Sequence, residues 1–427
     1  MAHVKSCTEG KRKWFFFLIS SIFIILVFTN SSYGARTQSK KKKVTSKTFR
    51  SMARVYATLG NYEKASKLGE KALAMAKEHD AENEELCSCL IDLAWIYQKA
   101  GKPQQAEKMC SLGLRLQEKT YFESHPYVAY TLRTLSSIYQ EQGKYHEAML
   151  LLERALDIMK KAHPSGEPVI APFEVDVADL LAAQGYFAKA ELYYNRAMYK
   201  IKDSYGEDHL YTANVLRRVA ELYIIQQRYA EAEMLIQKTL EVQHRVLGFE
   251  SNLLAPSWIT LSKIEEAKKN YVKAERLTRQ SLEVVTKKQG EEHPFAGKIM
   301  NRLARLYILN GKYAQAESIC QKSINVLQKN LGINNNHTAM AQNTMAKLYI
   351  HRGQYSKAKE SCEQSLNILE SIFDKNHPNV ADVLETMSQL YQRTGNLAKS
   401  EELDRRAQAI RSTAQVPVVS AASPVTD

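Results

Sequence analysis

No HExxH, GxSxG or phosphate-loop glycine run occurs in these 427 residues, so the zinc-dependent, nucleophile-elbow and nucleotide-phosphate chemistries those motifs serve have no foothold. No alternating β-rich run interrupts the chain, which leaves helices as its regular element. Excess charge of one sign is also scarce once its position is considered. Of 59 Lys and Arg and 46 Asp and Glu, residues 1–50 hold eleven basic and one acidic, and the remaining 48 and 45 leave residues 51–427 at only +3. The run Lys40 to Lys43 has no interleaved aromatic residue on which bases could stack, so it reads as a solvated linker and no nucleic acid partner is expected.

What is abundant is repetition. LARLYILNGKYAQAESICQKSI at 303–324 returns as MAKLYIHRGQYSKAKESCEQSL from Met345, 42 residues on. One landmark, a tyrosine four residues before a glycine, runs Tyr56, Tyr97, Tyr139, Leu181, Tyr223, Glu265, Tyr307, Tyr349 and Tyr391. That is nine units with one spacing of 41 and seven of 42. A glycine recurs four residues after the landmark and an alanine nine after it, with apolar residues at helical spacings on both sides. Each unit is therefore expected to be two helices joined at the glycine. Pro126, Pro168, Pro294 and Pro378, thirteen residues before their landmarks, suit a first helical turn, where a missing N–H costs nothing. Nine units of 42 fill 378 residues and leave no space for a separate catalytic domain.

The motifs GEEHPFAGKIMNRLARLYILNGKYAQAE and ESHPYVAYTLRTLSSIYQEQGKYHEA resemble the tetratricopeptide repeat, in the 42-residue form of kinesin light chains. The resemblance covers nearly all of Thr45–Ser412. It implies an all-α, right-handed superhelical solenoid whose first helices line a concave groove. It also implies that residues six and two before each landmark face that groove. These eighteen include seven basic and three acidic side chains. Trp95, Arg133, Arg217, Asn301, Arg305, Asn343 and Lys347 are the candidates for gripping an extended, acidic peptide: arginine holds carboxylates with a two-pronged bond, and asparagine both donates to and accepts from a backbone. Kinesin light chains use adjacent asparagine pairs, whereas Arg302 and Thr344 stand beside the asparagines here. The long heptad segment of those chains is also lacking.

Candidate catalytic groups would be departures from the repeat, and few exist. His125, His293 and His377 each precede a proline, and His209 shares their register, which makes them helix-start residues; His163-Pro164 lies four residues early, in an irregular loop. Cys110, Cys320 and Cys362, all thirteen after their landmarks, read as packing residues. Cys87 and Cys89, two apart on a helix, face different directions and form no metal pair. No cofactor, metal or small-molecule substrate is expected. The partner is a protein or peptide.

Lys11-Arg12-Lys13 precedes the apolar stretch Trp14–Phe28, and TNSSYGA follows. This reads as a signal peptide over 1–34, then a basic linker over 35–44, the repeats over 45–412 and a disordered tail over 413–427. The alternative is an uncleaved anchor at 14–28 with membrane association and cytoplasmic repeats, since seven basic residues follow the apolar stretch against four before it. An exported scaffold is the leading expectation. An enzyme using dispersed groove residues is its rival. Repeats 5 and 6 carry Gln227 and Lys269 at the glycine turn, and repeat 6 has Glu265 at the landmark, so a hinge is expected over Tyr223–Ala274.

Overall fold

The computed structural model describes residues 45–78 and 83–415. The expected leader and linker, and residues 416–427 of the expected tail, lie outside them. The described residues hold eighteen α-helices, two single 3-10 turns and no strand. They pair as nine repeats: Ser46–Thr58 with Tyr62–Glu78, Asn83–Lys99 with Pro103–Tyr121, Pro126–Glu141 with Tyr145–Ala162, Ala171–Ala183 with Phe187–Tyr205, and Leu210–Ile225 with Tyr229–Leu247. Repeats 6 to 9 continue with Ala255–Ala267 and Tyr271–Gln289, Pro294–Leu309 and Tyr313–Leu331, Asn336–His351 and Tyr355–Ile372, and Pro378–Arg393 and Leu397–Gln415. The last helix extends through 413–415, the first three residues of the expected tail.

The spacing of landmark and glycine has a hydrogen-bond cause. The glycine sits at positive φ, and the N–H of the next residue then donates back to the landmark's carbonyl, as in Asn61 to Tyr56 (2.9 Å) and Lys312 to Tyr307 (2.8 Å). This closes the first helix with a left-handed cap and aims the chain into the second. Gln227 and Lys269 hold the same conformation at φ 61° and 64°, and Arg228 and Asn270 make the same bond, at 2.8 Å each. The recurrent alanine nine residues past the landmark is fully buried in all eight repeats that have it, where a larger side chain would part the paired helices.

Pro168 departs from its expected place. It opens a 3-10 turn, Pro168–Ile170, and the α-helix begins at Ala171; repeat 6 does the same with Asn252–Leu254 before Ala255. Pro172 and Pro256 explain both, because each lacks the N–H that a longer α-helix would need at that point. These are also the two repeats without a landmark tyrosine.

The two non-glycine left-handed turns at this position fall in consecutive repeats, 5 and 6. Glycine at 227 or 269 is expected to stabilise the chain by about 1 kcal/mol, the left-handed penalty less the entropy of a freer unfolded chain, as read by urea unfolding. Hydrogen exchange in the repeat 6 helices is expected to run faster than in repeats 3 and 7. Equal protection in all three would remove the hinge.

First helices of neighbouring repeats approach one another more closely than second helices do, so the solenoid curves toward its first helices. The curvature is tight enough for successive turns to meet, repeat 1 against 7, 2 against 8 and 3 against 9. Asn335 Nδ2 donates to the carbonyl of Ala100 at 3.5 Å, and His377 Nε2 lies 3.2 Å from the carbonyl of Glu141. His293 hydrogen-bonds the backbone of Thr58. Gln104 Nε2 reaches the carbonyl of Ile372 at 2.7 Å. Gly60, Gly101 and Gly143 stand against this seam: a Cβ at each would come within 2.6 Å of Pro294, 1.6 Å of Asn335 and 2.9 Å of His377. The same glycine in repeats 4, 7, 8 and 9 meets nothing.

Candidate interaction surface

The groove wall is built from the first helices, and its two expected positions differ in role. Residues six before the landmark turn toward the next repeat. Arg133 forks onto Asp176 and also lies 5.4 Å over the Phe173 ring. Asn343 is buried, and its Nδ2 donates to the carbonyl of Asp382 at 3.3 Å. Arg217 is held within its own helix by Glu221 at 3.0 Å and Asn214 at 3.1 Å. Asn301 is half-buried, and its Oδ1 lacks both solvent surface and a hydrogen-bond partner. Trp95, two before its landmark, packs against the cluster of Ala53, Ala57, Ala65 and Ile96.

Residues two before the landmark are the open ones. Lys263 and Arg305 keep 45% and 46% of their side-chain surface, and Lys347 is half-buried. These three occupy the same position in consecutive repeats 6, 7 and 8. Repeats 4 and 5 place Asp179 and Glu221 there instead, so the wall changes sign along its length.

Carboxylates, some at the two expected positions and some outside them, decide how much of this charge is free. Asp92 takes Arg50 and Arg54, and Asp179 takes Arg218 at 3.3 Å. Repeats 1 to 5 are thereby close to neutral. From repeat 6 onward Glu266 binds Arg302 at 2.8 Å and Arg305 at 2.6 Å, and Lys263 reaches back to Glu221 of repeat 5 at 3.9 Å. Asp382 and Glu385 beyond them are engaged by Arg411 at 2.6 and 2.7 Å. Burial lowers the basicity of Lys263, Arg302 and Lys347, and Arg305 adds to the effect on each, bringing Arg302 to about 10. The cations crowd one another.

The histidines at the helix starts are caps. Nδ1 of His125, His209, His293 and His377 accepts the backbone N–H two residues on, at 3.1–3.2 Å, which fixes the proton on Nε2 and leaves it to donate across the seam in repeats 7 and 9. Cys110 and Cys320 are buried with their thiols against the carbonyls of Thr131 and Ala341, and burial pushes both, and Cys362, up to about 12. Such thiols stay protonated and unreactive. Among the described residues no three His, Cys, Asp or Glu side chains converge on a metal position, and no helix is long and apolar enough to cross a membrane.

Sequence comparison agrees with this architecture. The tetratricopeptide repeat profile matches residues 44–110, 96–161, 170–245, 211–287, 253–329, 295–370 and 337–413. The chain belongs to the tetratricopeptide repeat family, whose solenoids are protein–protein interaction scaffolds. Solved structures similar to it include a Rap protein complexed with competence and sporulation factor, 14% identical over 86% of this chain and 98% of that one, with a TM-score of 0.58. Another is aspartyl phosphate phosphatase F from Bacillus subtilis, 12% identical over 91% and 100%, TM-score 0.52. A Podosopora anserina protein described by its nearly identical, kinesin light chain TPR-like repeats is 22% identical over 47% and 96%, TM-score 0.41. At these identities the likeness is one of fold. No curated protein matches the chain.

Proposed function

We propose that this protein is a non-enzymatic scaffold, exported or membrane-tethered through residues 14–28, that holds an extended acidic segment of a partner protein in its groove. The observation that carries the reading is the row Lys263, Arg305 and Lys347, three cations at one open position in three consecutive repeats, of which Lys263 has Glu221 at 3.9 Å, Arg305 has Glu266 at 2.6 Å and Lys347 makes no ion pair among the described residues. Neighbouring first helices lie about 10 Å apart by packing distances, which is about three residues of extended chain at ~3.3 Å each. The segment that fits has a carboxylate at every third residue over repeats 6 to 8. The Rap protein of this fold, solved with its competence and sporulation factor, is an instance of such a solenoid in complex.

Arg217 drops out of the grip because Glu221 and Asn214 hold it. The test is capture of a stoichiometric partner by the native protein and by a variant with Lys263, Arg305 and Lys347 all changed to Glu. Exposed pairs contribute only about 0–1 kcal/mol each, so the triple change is expected to weaken binding roughly 10- to 100-fold and flatten its salt dependence, with helicity unchanged. Binding that survives with the same salt slope would exclude the acidic segment, and substrate turnover by the purified chain alone would exclude the scaffold. N-terminal sequencing of the mature protein tests export: a start at Ala35 supports cleavage after Gly34, and an intact leader supports the anchor.

A further inference from the structure

A second cationic site lies where the turns of the solenoid close. On the groove side of the seam is a cavity of about 450 Å³, lined by Gln98, Lys99 and Glu141 from repeats 2 and 3 and by Lys298, Asn336 and His337 from repeats 7 and 8. Lys99 is the last residue of its helix and Lys298 lies in the second turn of its own, so the two ammonium groups enter from opposite superhelical turns. Neither makes an ion pair or hydrogen bond among the described residues. Glu141, the carboxylate in the cavity, accepts from Gln98 at 3.0 Å. Asn336 is held by Asn379 at 2.7 Å, which keeps the carboxamides in place. Lys298 has open surface but protein on most sides: burial and then the charge of Lys99 lower it to about 8 despite Glu141. Burial and the charge of Lys298 bring His337 down to about 3, so at neutral pH its ring adds no charge.

Two lysines brought together in a concave, partly desolvated place with one carboxylate, Glu141, between them leave one positive charge unanswered. We infer that the Lys99–Lys298 cavity is a binding site for an oxyanion, a phosphate or carboxylate, that bridges the first and second turns of the solenoid. The site is complete only while the seam is closed, because each turn contributes one of the two ammonium groups. Bound anion therefore stabilises the closed solenoid, by mass action on the closed form alone. This site is separate from the row Lys263, Arg305 and Lys347, and loss of either leaves the other's charges in place.

The test uses the full chain, titrated by calorimetry with inorganic phosphate and, separately, with N-acetylglutamate amide. Phosphate binding assigns a free anion and glutamate amide binding assigns a side chain carried by a partner; binding of neither overturns the proposal. Lys99→Met and Lys298→Met are each expected to weaken the bound probe on the order of tenfold, the worth of a hydrogen bond to a charged group. The decisive comparison keeps both lysines. Gly60→Leu with Gly101→Leu places side chains in the seam, whereas Gly311→Leu with Gly353→Leu puts the same strain into turns that face nothing. The first pair is expected to enlarge the radius of gyration in small-angle scattering and to lose the probe at least tenfold; the second pair keeps both. If the seam opens and the probe binds unchanged, two turns are not needed and the inference fails. If the seam pair neither enlarges the chain nor weakens the probe, it fails equally.

Discussion

Phe173→Ala is expected to lower the unfolding free energy by about 3–5 kcal/mol, the usual cost of deleting a buried aromatic ring. Phe173 is wholly buried, in the cluster that joins repeats 3, 4 and 5 through Val128, Leu132, Met159, Val177, Val215 and Val219. Its ring stands 5.4 Å from Tyr130 and under the guanidinium of Arg133. The substitution therefore opens a cavity and also removes the surface that holds Arg133 toward Asp176. Because each repeat in a solenoid is stabilised by its neighbours, the loss stays local. Urea unfolding gives the magnitude, and hydrogen exchange is expected to show protection lost in repeats 3 and 4 and kept in repeats 7 to 9. A cost below about 1 kcal/mol would mean that the ring is not enclosed as described.

Lys273→Met is expected to cost about 3 kcal/mol, near the low end for breaking a buried ion pair because Lys273 itself is half in water. Its partner Glu265 occupies the landmark position of repeat 6, 1% exposed, with Lys273 Nζ at 2.6 Å and Asn270 Nδ2 at 2.9 Å. Burial pushes the Glu265 carboxyl up, but the hydrogen bonds from Lys273 and Asn270 and the charges of Lys273 and Lys268 outweigh it and hold the group below the ordinary carboxylate range. A depressed carboxyl contributes stability that is present above its unfolded value of about 4.3 and is lost as pH falls through the lower folded value. The gap between native protein and variant is thus expected to be full at pH 7 and to close as the pH drops below about 4. A gap that stayed constant from pH 7 to 3 would show that Lys273 acts through packing alone. In repeat 6 an ion pair replaces the tyrosine of its neighbours, so its landmark responds to acid.

Legibility in the sequence followed the distance over which each feature is determined. The repeat, its helix pair and its glycine turn are local: the left-handed cap joins residues five apart, and the tyrosine-to-glycine spacing records it directly in the chain. The cap chemistry of His125, His209, His293 and His377 is local too, since Nδ1 reaches only two residues on. Glycine at 60, 101 and 143 reads the same as glycine at 311 and 353, yet only the first three stand against a facing turn.

The groove was legible in part. Periodicity places positions six and two before the landmark on one helical face, but the tilt of one helix against the next sets which of them meets water and which meets the following repeat. Arg133 and Asn343 were thereby committed to Asp176 and Asp382, while Lys263, Arg305 and Lys347 were left facing the groove. Asp92 and Asp176, which neutralise Arg50, Arg54 and Arg133 of the wall, sit at other positions and became its partners only through packing. What the sequence alone determined is the repeating unit, because hydrogen bonds and apolar spacing within about 42 residues suffice to specify its two helices and their turn. The small rotation from each unit to the next accumulates over six of them, and only that sum, a property of the tertiary structure, brings Lys99 to Lys298 and His377 to the carbonyl of Glu141.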